Sequence, residues 1–221
     1  MIVRGRLEED SAGAVRQGQT GDCLIKPAGM RHANRFGPEP VRTIQIEIAD
    51  TGGEVGRLLA RSTPPPIRGG DAGFASAMIG LYRALLGSPQ VEALDALVLD
   101  ALGSATNLLT RADLRRPAWL VRVEGILRET LQRPPSVAAL ASEANVHPVH
   151  MARVFRRAHG CSIPGYIRRL RVHQAARLAS RTRDPLAQIA VDCGFYDQPH
   201  LTRDFRRELG VTPQEYRRLA D

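Results

Sequence analysis

Apolar residues near the end of the chain recur every three or four positions, which predicts amphipathic helices. Two segments share a short face of this kind: Val137, Leu140, Ala141 and Ala144 in one, and Leu186, Ile189, Ala190 and Cys193 in the other. We expect Ser136 and Asp184 to cap these helices, because such side chains accept hydrogen bonds from free amides at a helix start. Asn145 and Gly194 tolerate a left-handed backbone, so each helix should end there.

A second helix should follow each of these turns, with Pro148 near the start of one and Asp197 capping the other over Gln198–Leu209. Each has two apolar residues four positions apart that face inward: Met151 and Phe155 in the first, Leu201 and Phe205 in the second. The outer faces carry Val149, His150, Arg153 and Arg157, and Gln198, Thr202, Arg203 and Arg206. A turn between two helices, with a basic second helix, is the plan of a DNA-binding helix-turn-helix.

The two units are copies of one another. Residues 151–168 and 201–218 are identical at seven of 18 positions: Arg153/Arg203, Phe155/Phe205, Arg156/Arg206, Arg157/Arg207, Gly160/Gly210, Tyr166/Tyr216 and Arg168/Arg218. Between them, residues 163–181 predict one helix of roughly 28 Å. Such a helix can hold two recognition helices about 34 Å apart, one turn of duplex DNA.

Positive charge is concentrated in the same part of the chain. Residues 1–116 carry 14 Lys and Arg against 13 Asp and Glu, whereas residues 117–221 carry 17 against 10. A net charge of +7 on the second part predicts a polyanionic partner. The three cysteines lack the spacing of a zinc site, and we expect them to be small buried residues.

Residues 119–219 resemble the DNA-binding domain of the AraC/XylS family of transcription regulators. The resemblance rests on Leu140-Ala141, Arg153-x-Phe155-Arg156, Gly160, Tyr166-Ile167 with Arg171, Ala190-x-x-Cys193-Gly194-Phe195, Arg203-x-Phe205-Arg206 and Gly210-x-Thr212-Pro213-x-x-Tyr216-Arg217. It implies that both second helices enter consecutive major grooves of double-stranded DNA, that Val149, Arg153, Gln198, Pro199 and Arg203 read bases, and that RNA polymerase is a partner. We assign Arg157, Arg206 and Arg207 to phosphates, and place His150 and Thr202 on the same surface.

The first part of the chain looks rich in strands, over Ile2–Leu7 and Gly21–Ile48, with apolar and polar residues alternating from Thr43 to Ile48. The segment from Gly21 through Pro27, Gly29 and His32 to Phe36 resembles the second motif of cupin barrels, which often form the effector-sensing half of AraC-type regulators. The barrel begins late, so either the sensor is shortened or the true start lies upstream.

The cupin resemblance leaves two roles open for His32: a pocket residue for an organic effector, or a histidine satisfied locally in a strand or turn. A metal site lacks most of its ligands, because no histidine precedes Gly21. We therefore expect no metal and no cofactor. Pro64–Pro66 predicts a stiff spacer. Two helices should follow, over Phe74–Leu86 and Val91–Leu109, and they either form a dimer surface or bury their apolar faces within the chain.

Together these features predict an α+β protein: a partial cupin-like β-barrel sensor (1–66), a helical connector (67–116) and an all-α tandem helix-turn-helix domain (117–221). We expect a cytoplasmic, homodimeric, effector-responsive transcriptional activator that is not an enzyme and does not enter the membrane. We also expect residues 119–221 to fold alone. The alternatives are a cupin metalloenzyme or a DNA-repair methyltransferase fused to such a domain, and a constitutive DNA binder.

Overall fold

The computed structural model describes residues 1–11, 14–24, 26, 30–47, 72–87, 91–112 and 116–221, without the side chains of residues 72, 91–93 and 107–112. Within these ranges the chain is a mixed α+β protein in which strands come first and helices follow. The strands are β1 (Ile2–Arg4), β2 (Arg6–Ser11), β3 (Ala14–Gln19), β4 (His32–Phe36) and β5 (Arg42–Thr43). The helices are α1 (Ala72–Leu86), α2 (Val91–Ala112), α3 (Ala118–Glu129), α4 (Val137–Glu143), α5 (Pro148–His159), α6 (Ile163–Arg181), α7 (Leu186–Asp192), α8 (Gln198–Leu209) and α9 (Pro213–Ala220).

The strands form two small antiparallel sheets. β1 pairs with β5, and β2 lies between β3 and β4. Gly5 separates β1 from β2 at a φ of +89°, and a Cβ there would lie 2.6 Å from the carbonyl oxygen of Pro40, so this corner requires glycine. The described strands do not close into a barrel. The mixed fold and the helical C-terminal part are therefore confirmed, and the cupin-like barrel stays a proposal.

Two details of the predicted strands are wrong. The alternation from Thr43 onward does not produce a strand as far as residue 47, because backbone pairing stops at Ile44: Thr43 lies opposite Ile2, and Ile44 exchanges two backbone hydrogen bonds with Met1. The alternation instead reflects packing: Ile44 lies in the core and Ile46 packs against it, while Gln45 is exposed. β3 was not predicted, since its sequence AVRQGQ has no apolar alternation. Ile48, Pro27, Gly29 and the Pro64–Pro66 spacer lie outside the described residues.

The helices of the repeat follow the local sequence signals. α6 and α8 have the predicted bounds, the Ser136 side chain accepts a hydrogen bond from the amide of Ala139, and Asn145 and Gly194 have positive φ angles of 52° and 80°. The predicted cap at Asp184 is wrong. α7 begins after Pro185, whose extended backbone occupies the capping position, so Asp184 stands one residue too early.

The two helix-turn-helix units have different cores. The first unit is closed around Leu120, Leu127, Met151, Phe155 and Tyr166, all from α3, α5 and α6. The core of the second unit continues into the first part of the chain: Val3, Phe74, Met78, Leu201 and Phe205 belong to one buried cluster. β1 and α1 therefore complete the second unit, and the domain limits 1–66, 67–116 and 117–221 stay a prediction.

Candidate DNA-binding surface

The outer face of α5 forms the first half of the candidate surface. His147 precedes the helix and its Nδ1 accepts a hydrogen bond from the amide of Val149 at 3.3 Å, while Pro148 takes the first helical position. Met151 and Phe155 are fully buried against α3 and α6. Val149, His150, Arg153 and Arg157 are exposed on the other side, as the spacing predicted.

Within that face, His150 and Arg153 lie together. Nη2 of Arg153 is 3.5 Å from Nδ1 of His150, and the imidazole of His150 lies with its ring centroid 6.0 Å from that of Trp119 in α3. His150 therefore lies between the ring of Trp119 and the guanidinium of Arg153. Val149, with 69% of its surface exposed, offers only methyl groups. Such groups suit contact with the methyl of thymine.

The outer face of α8 forms the second half. Oδ1 of Asp197 accepts a hydrogen bond from the amide of His200 at 2.7 Å and so starts the helix, with Gln198 and Pro199 exposed in its first turn. Arg203 is exposed and makes no hydrogen bond or ion pair with any residue that the structure describes. The fork of donors on Arg203 is therefore available to a base edge or a phosphate.

Three other side chains on α8 differ in their exposure and in their bonding partners. Arg206 is exposed, whereas Arg207 is exposed but ion-paired with Asp204, a carboxylate that is only 5% accessible. Thr202 is half-buried, and its hydroxyl donates to the carbonyl oxygen of Gln198 at 2.9 Å. Arg207 thus has a structural partner in Asp204, three residues earlier on the same helix, which is a spacing at which oppositely charged side chains meet.

Exposed Tyr196 is a candidate that the sequence analysis missed. It lies in the turn directly before α8, with 89% of its surface accessible. Its amide is 3.5 Å from Nδ1 of His200, so the turn is tied to the first residues of the recognition helix. The signal in the sequence is the second of two consecutive aromatic residues after the turn glycine Gly194: Phe195 is buried, and Tyr196 is not.

A buried carboxylate in α3 bonds to side chains from other segments of the first unit. Glu124 of α3 is 3% accessible and is ion-paired with Arg116 and, at 3.4 Å, with Arg128, and Nε2 of His159 lies 2.8 Å from its Oε1. Nη2 of Arg128 also donates to the hydroxyl of Tyr166 at 3.1 Å, and burial raises the pKa of that hydroxyl. These contacts join α3 to the end of α5 and the start of α6, which fixes the recognition helix on its support.

Arg171 of α6 sets the position of one unit against the other. Its guanidinium donates to the carbonyl oxygens of Leu131 at 3.1 Å and Gln132 at 3.2 Å, between α3 and α4, and it lies against Gly194 in the turn of the second unit. Partial burial lowers its pKa. The amide of the Gln132 side chain adds a bond to the carbonyl oxygen of Asp192 at 3.0 Å. In the sequence analysis, Arg171 appears only as a residue of the motif that resembles the AraC/XylS family, without a structural role.

The N-terminal candidate His32 is separate from this surface. It begins β4, a strand that is exposed along its whole length, and its Nδ1 is 3.1 Å from the carbonyl oxygen of Met30. In the described part of the chain, His, Cys, Asp and Glu side chains form no group of three that could hold a metal ion. None of the described helices is long and apolar enough to cross a membrane.

Comparison with known proteins identifies the domain that carries this surface. The family model described as "Helix-turn-helix domain" matches residues 140–219. These residues are an AraC-type helix-turn-helix domain. The AraC-type domain thus contains α5, α6 and α8, together with both turns.

Regulators are found among the relatives of the AraC-type domain. The chain is 34% identical over 82 residues to the HTH-type transcriptional regulator Rv1931c of Mycobacterium tuberculosis (37% of this chain, 32% of the relative). It is 24% identical over 102 residues to the bifunctional transcriptional activator/DNA repair enzyme AdaA of Bacillus subtilis (46% and 48%). The DNA-binding domain of AdpA, solved in complex with a target DNA, is 31% identical, with a TM-score of 0.41 (44% and 88%). The chain spans less than half the length of both curated relatives.

Proposed function

We propose that this protein is a sequence-specific, DNA-binding transcription regulator that places α5 and α8 in successive major grooves. The observation that carries the proposal is the pair of exposed recognition faces, one on each unit of the AraC-type domain, joined by the single helix α6. The net charge of +7 on residues 117–221 supplies the attraction to a polyanion.

We assign the roles of individual residues from the position of each side chain on its helix and from its bonding partners. Arg153 and Arg203 lie near the middle of their helices and are proposed to read bases, together with Val149, Gln198 and Pro199. Arg157 and Arg206 are proposed to contact phosphates. Arg207 is proposed both to pair with Asp204 and to contact a phosphate, and the phosphate must compete with Asp204 for its guanidinium. His150 and Thr202 support neighbouring contacts on the same faces.

The first part of the chain is proposed to be an effector-responsive sensor with a partial cupin-like fold. Support comes from its packing: the hydroxyl of Tyr216 in α9 donates to the carbonyl oxygen of Val3 at 2.7 Å, and Phe74 and Met78 of α1 lie in the core of the second unit. A ligand that shifts β1 or α1 would therefore act on a recognition unit directly. His32, exposed and bonded within its own turn, fits the local alternative better than a pocket role.

Assembly and partners extend the proposal. Three leucines of the α1–α2 hairpin are more than half exposed: Leu85, Leu86 and Leu99. On the basis of these exposed apolar residues, we propose that the hairpin is the surface through which a homodimer forms. RNA polymerase is proposed as the partner through which the bound protein activates transcription in the cytoplasm.

One of the two enzymatic alternatives is a DNA-repair methyltransferase, and the relative AdaA is described as a DNA repair enzyme as well as a transcriptional activator. A cysteine that accepts a methyl group must be a reactive thiolate. Burial instead raises the pKa of Cys23 and of Cys193 to about 12, which keeps both thiols protonated. Burial therefore argues against methyl transfer to Cys23 or Cys193, and the partly exposed Cys161 is the thiol that the methyl-transfer experiment below must test.

The proposal is tested by selecting duplexes from a random pool with the full-length protein. We expect enrichment of one defined site, bound at least about a thousandfold more tightly than random duplex at the same salt concentration. Equal affinity for selected and random duplexes would reject sequence-specific binding. Methylated DNA offered in the same binding buffer should keep its methyl groups, and transfer of a methyl group to the protein would revive the repair enzyme.

A further inference from the structure

A cavity of about 500 Å³ lies between the two small sheets and the C-terminal end of α6. One wall is the corner between β1 and β2 with the segment at Pro40, and the other is the last turn of α6 with Thr182. Its volume is within the range of sites that hold small molecules in proteins, roughly 300 to 1,000 Å³. The cavity is distinct from both recognition faces, and His32 is not part of its lining.

Arginine dominates the charge of this cavity. Arg4, Arg6, Arg177 and Arg181 line it, and Glu39 is the acidic residue of the lining. Four guanidinium groups against one carboxylate leave a net charge of +3. Like charges held around one space repel each other unless an anion lies among them, so the lining favours a negatively charged occupant.

Two of the four guanidinium groups already face a carboxylate. Arg181 is ion-paired with Glu39, and Nη1 of Arg4 donates to the carbonyl oxygen of Ala220 at 3.1 Å and lies 3.8 Å from Asp221. The other two do not. Nη1 of Arg177 donates to the neutral side-chain oxygen of Gln19 at 3.3 Å, and the side chain of Arg6 makes no hydrogen bond or ion pair with any residue in the described ranges.

We propose that this cavity is a binding site for a small dianion, a phosphate group or a dicarboxylate, held between Arg6 of β2 and Arg177 of α6. Guanidinium groups bind carboxylate and phosphate oxygens through paired hydrogen bonds, and a charge-assisted bond of this kind is about twice as strong as a neutral one. Pro40 and Leu178 give the cavity an apolar side, which suits the carbon skeleton of an organic anion.

The site joins the two parts of the protein that regulation must connect. Arg6 belongs to the central strand of the three-stranded sheet, and Arg177 lies four residues before the end of α6, the helix that joins the two recognition units. An anion bound by both would hold the sheet against α6 next to the segment leading into α7. The regulatory meaning rests on the proposed function, but binding of the anion does not.

The test is calorimetric titration of the full-length protein, without DNA, with inorganic phosphate and separately with succinate, at ionic strength matched with chloride. We expect one equivalent of at least one probe to bind, and the probe that binds decides between a phosphate and a dicarboxylate site. Arg6→Ala and Arg177→Ala should each weaken binding by about tenfold or more, the loss expected for one charge-assisted hydrogen bond.

The matched control is Arg122→Ala, which removes an exposed arginine of α3 that does not line the cavity and should leave anion binding unchanged. Arg6 has no partner to lose, so Arg6→Ala tests the site even if Arg177→Ala impairs folding. Binding of neither probe beyond the chloride background would overturn the proposal. Binding that Arg203→Ala abolishes and Arg6→Ala does not would place the anion on the DNA-binding face and would also overturn it. Failure of the DNA selection leaves this titration readable.

Discussion

The equivalent tyrosines of the repeat, Tyr166 and Tyr216, allow a sharp test of how the first part of the chain is attached. Each ring packs edge-to-face on the buried phenylalanine of its unit, Phe155 or Phe205. Their hydroxyls differ: that of Tyr216 reaches back to Val3 in β1, and that of Tyr166 meets Arg128 within its own unit. Changing each to phenylalanine keeps the ring and removes only the hydroxyl.

The expected costs differ because water can replace only one of the bonds. Tyr216 and Val3 are both 0% accessible, so Tyr216→Phe removes the donor from a buried carbonyl and should cost about 1 to 3 kcal/mol of unfolding free energy. The side chain of Arg128 is 43% accessible, so Tyr166→Phe should cost about 0.5 kcal/mol. A loss of about 2 kcal/mol should lower the Tm by about 4 to 8 °C in a chain of this size.

Urea denaturation followed by circular dichroism, on the full-length protein and both variants, measures the two costs. We expect the loss for Tyr216→Phe to be at least twice that for Tyr166→Phe. Equal small losses would show that β1 does not dock on the second unit in solution. In that case the shared core, and the route from the first part of the chain to α8, would be rejected.

Three other perturbations test the recognition helices, the buried His173 and the shared core. Arg203→Ala should weaken binding to the selected site by about 1 to 3 kcal/mol and relax the sequence preference at one or two base pairs. Arg206→Ala should weaken binding to all duplexes alike and reduce the slope of log affinity against log salt concentration by about one unit. Equal losses on specific and random duplex for Arg203→Ala would reject its role in reading bases. Burial, reinforced by the charge of Arg169, lowers the pKa of His173 to about 4, so below pH 6.5 the unfolded chain binds a proton that the folded chain does not. The free energy of unfolding should therefore fall by on the order of 3 kcal/mol from pH 6.5 to pH 4. His173→Gln should make the free energy of unfolding less dependent on pH in this range. The fragment 119–221 should bind DNA less well and unfold more easily than the full chain, since it lacks β1 and α1, and a fragment as stable as the full chain would contradict the shared core.

The repeat could be predicted from the sequence because its signals are local. Asn145 and Gly194 adopt the left-handed backbone that their residue types favour, and Asp197 caps α8 through an amide three residues away. Such features depend on neighbours along the chain, and spacing of three and four then assigns the buried face. The exposed positions of Arg153 and Arg203 followed from the same spacing.

The contacts between distant segments could not be predicted in this way. Nothing around Val3 or Phe74 indicates that they share a core with Phe205, because that packing joins residues more than a hundred positions apart. The strand predicted after Thr43 failed for a related reason: alternation reports which side chains are buried, and a strand also needs a partner. The anion cavity combines residues from three separated segments, so no motif marks it.

In the function proposed above, one chain reads DNA with two different helices at once. Its most direct test is a hydroxyl-radical footprint of the full-length protein on its selected site. A symmetric dimer of single units would read a palindrome, whereas these two units are tandem copies with different outer faces, Val149 and Arg153 against Gln198 and Arg203. We expect each bound chain to protect an asymmetric site, with two unrelated contact clusters about 10 base pairs apart on one face of the duplex. Protection of a single turn, or of a short symmetric motif, would show that one unit makes no contact and would reject binding through both helices.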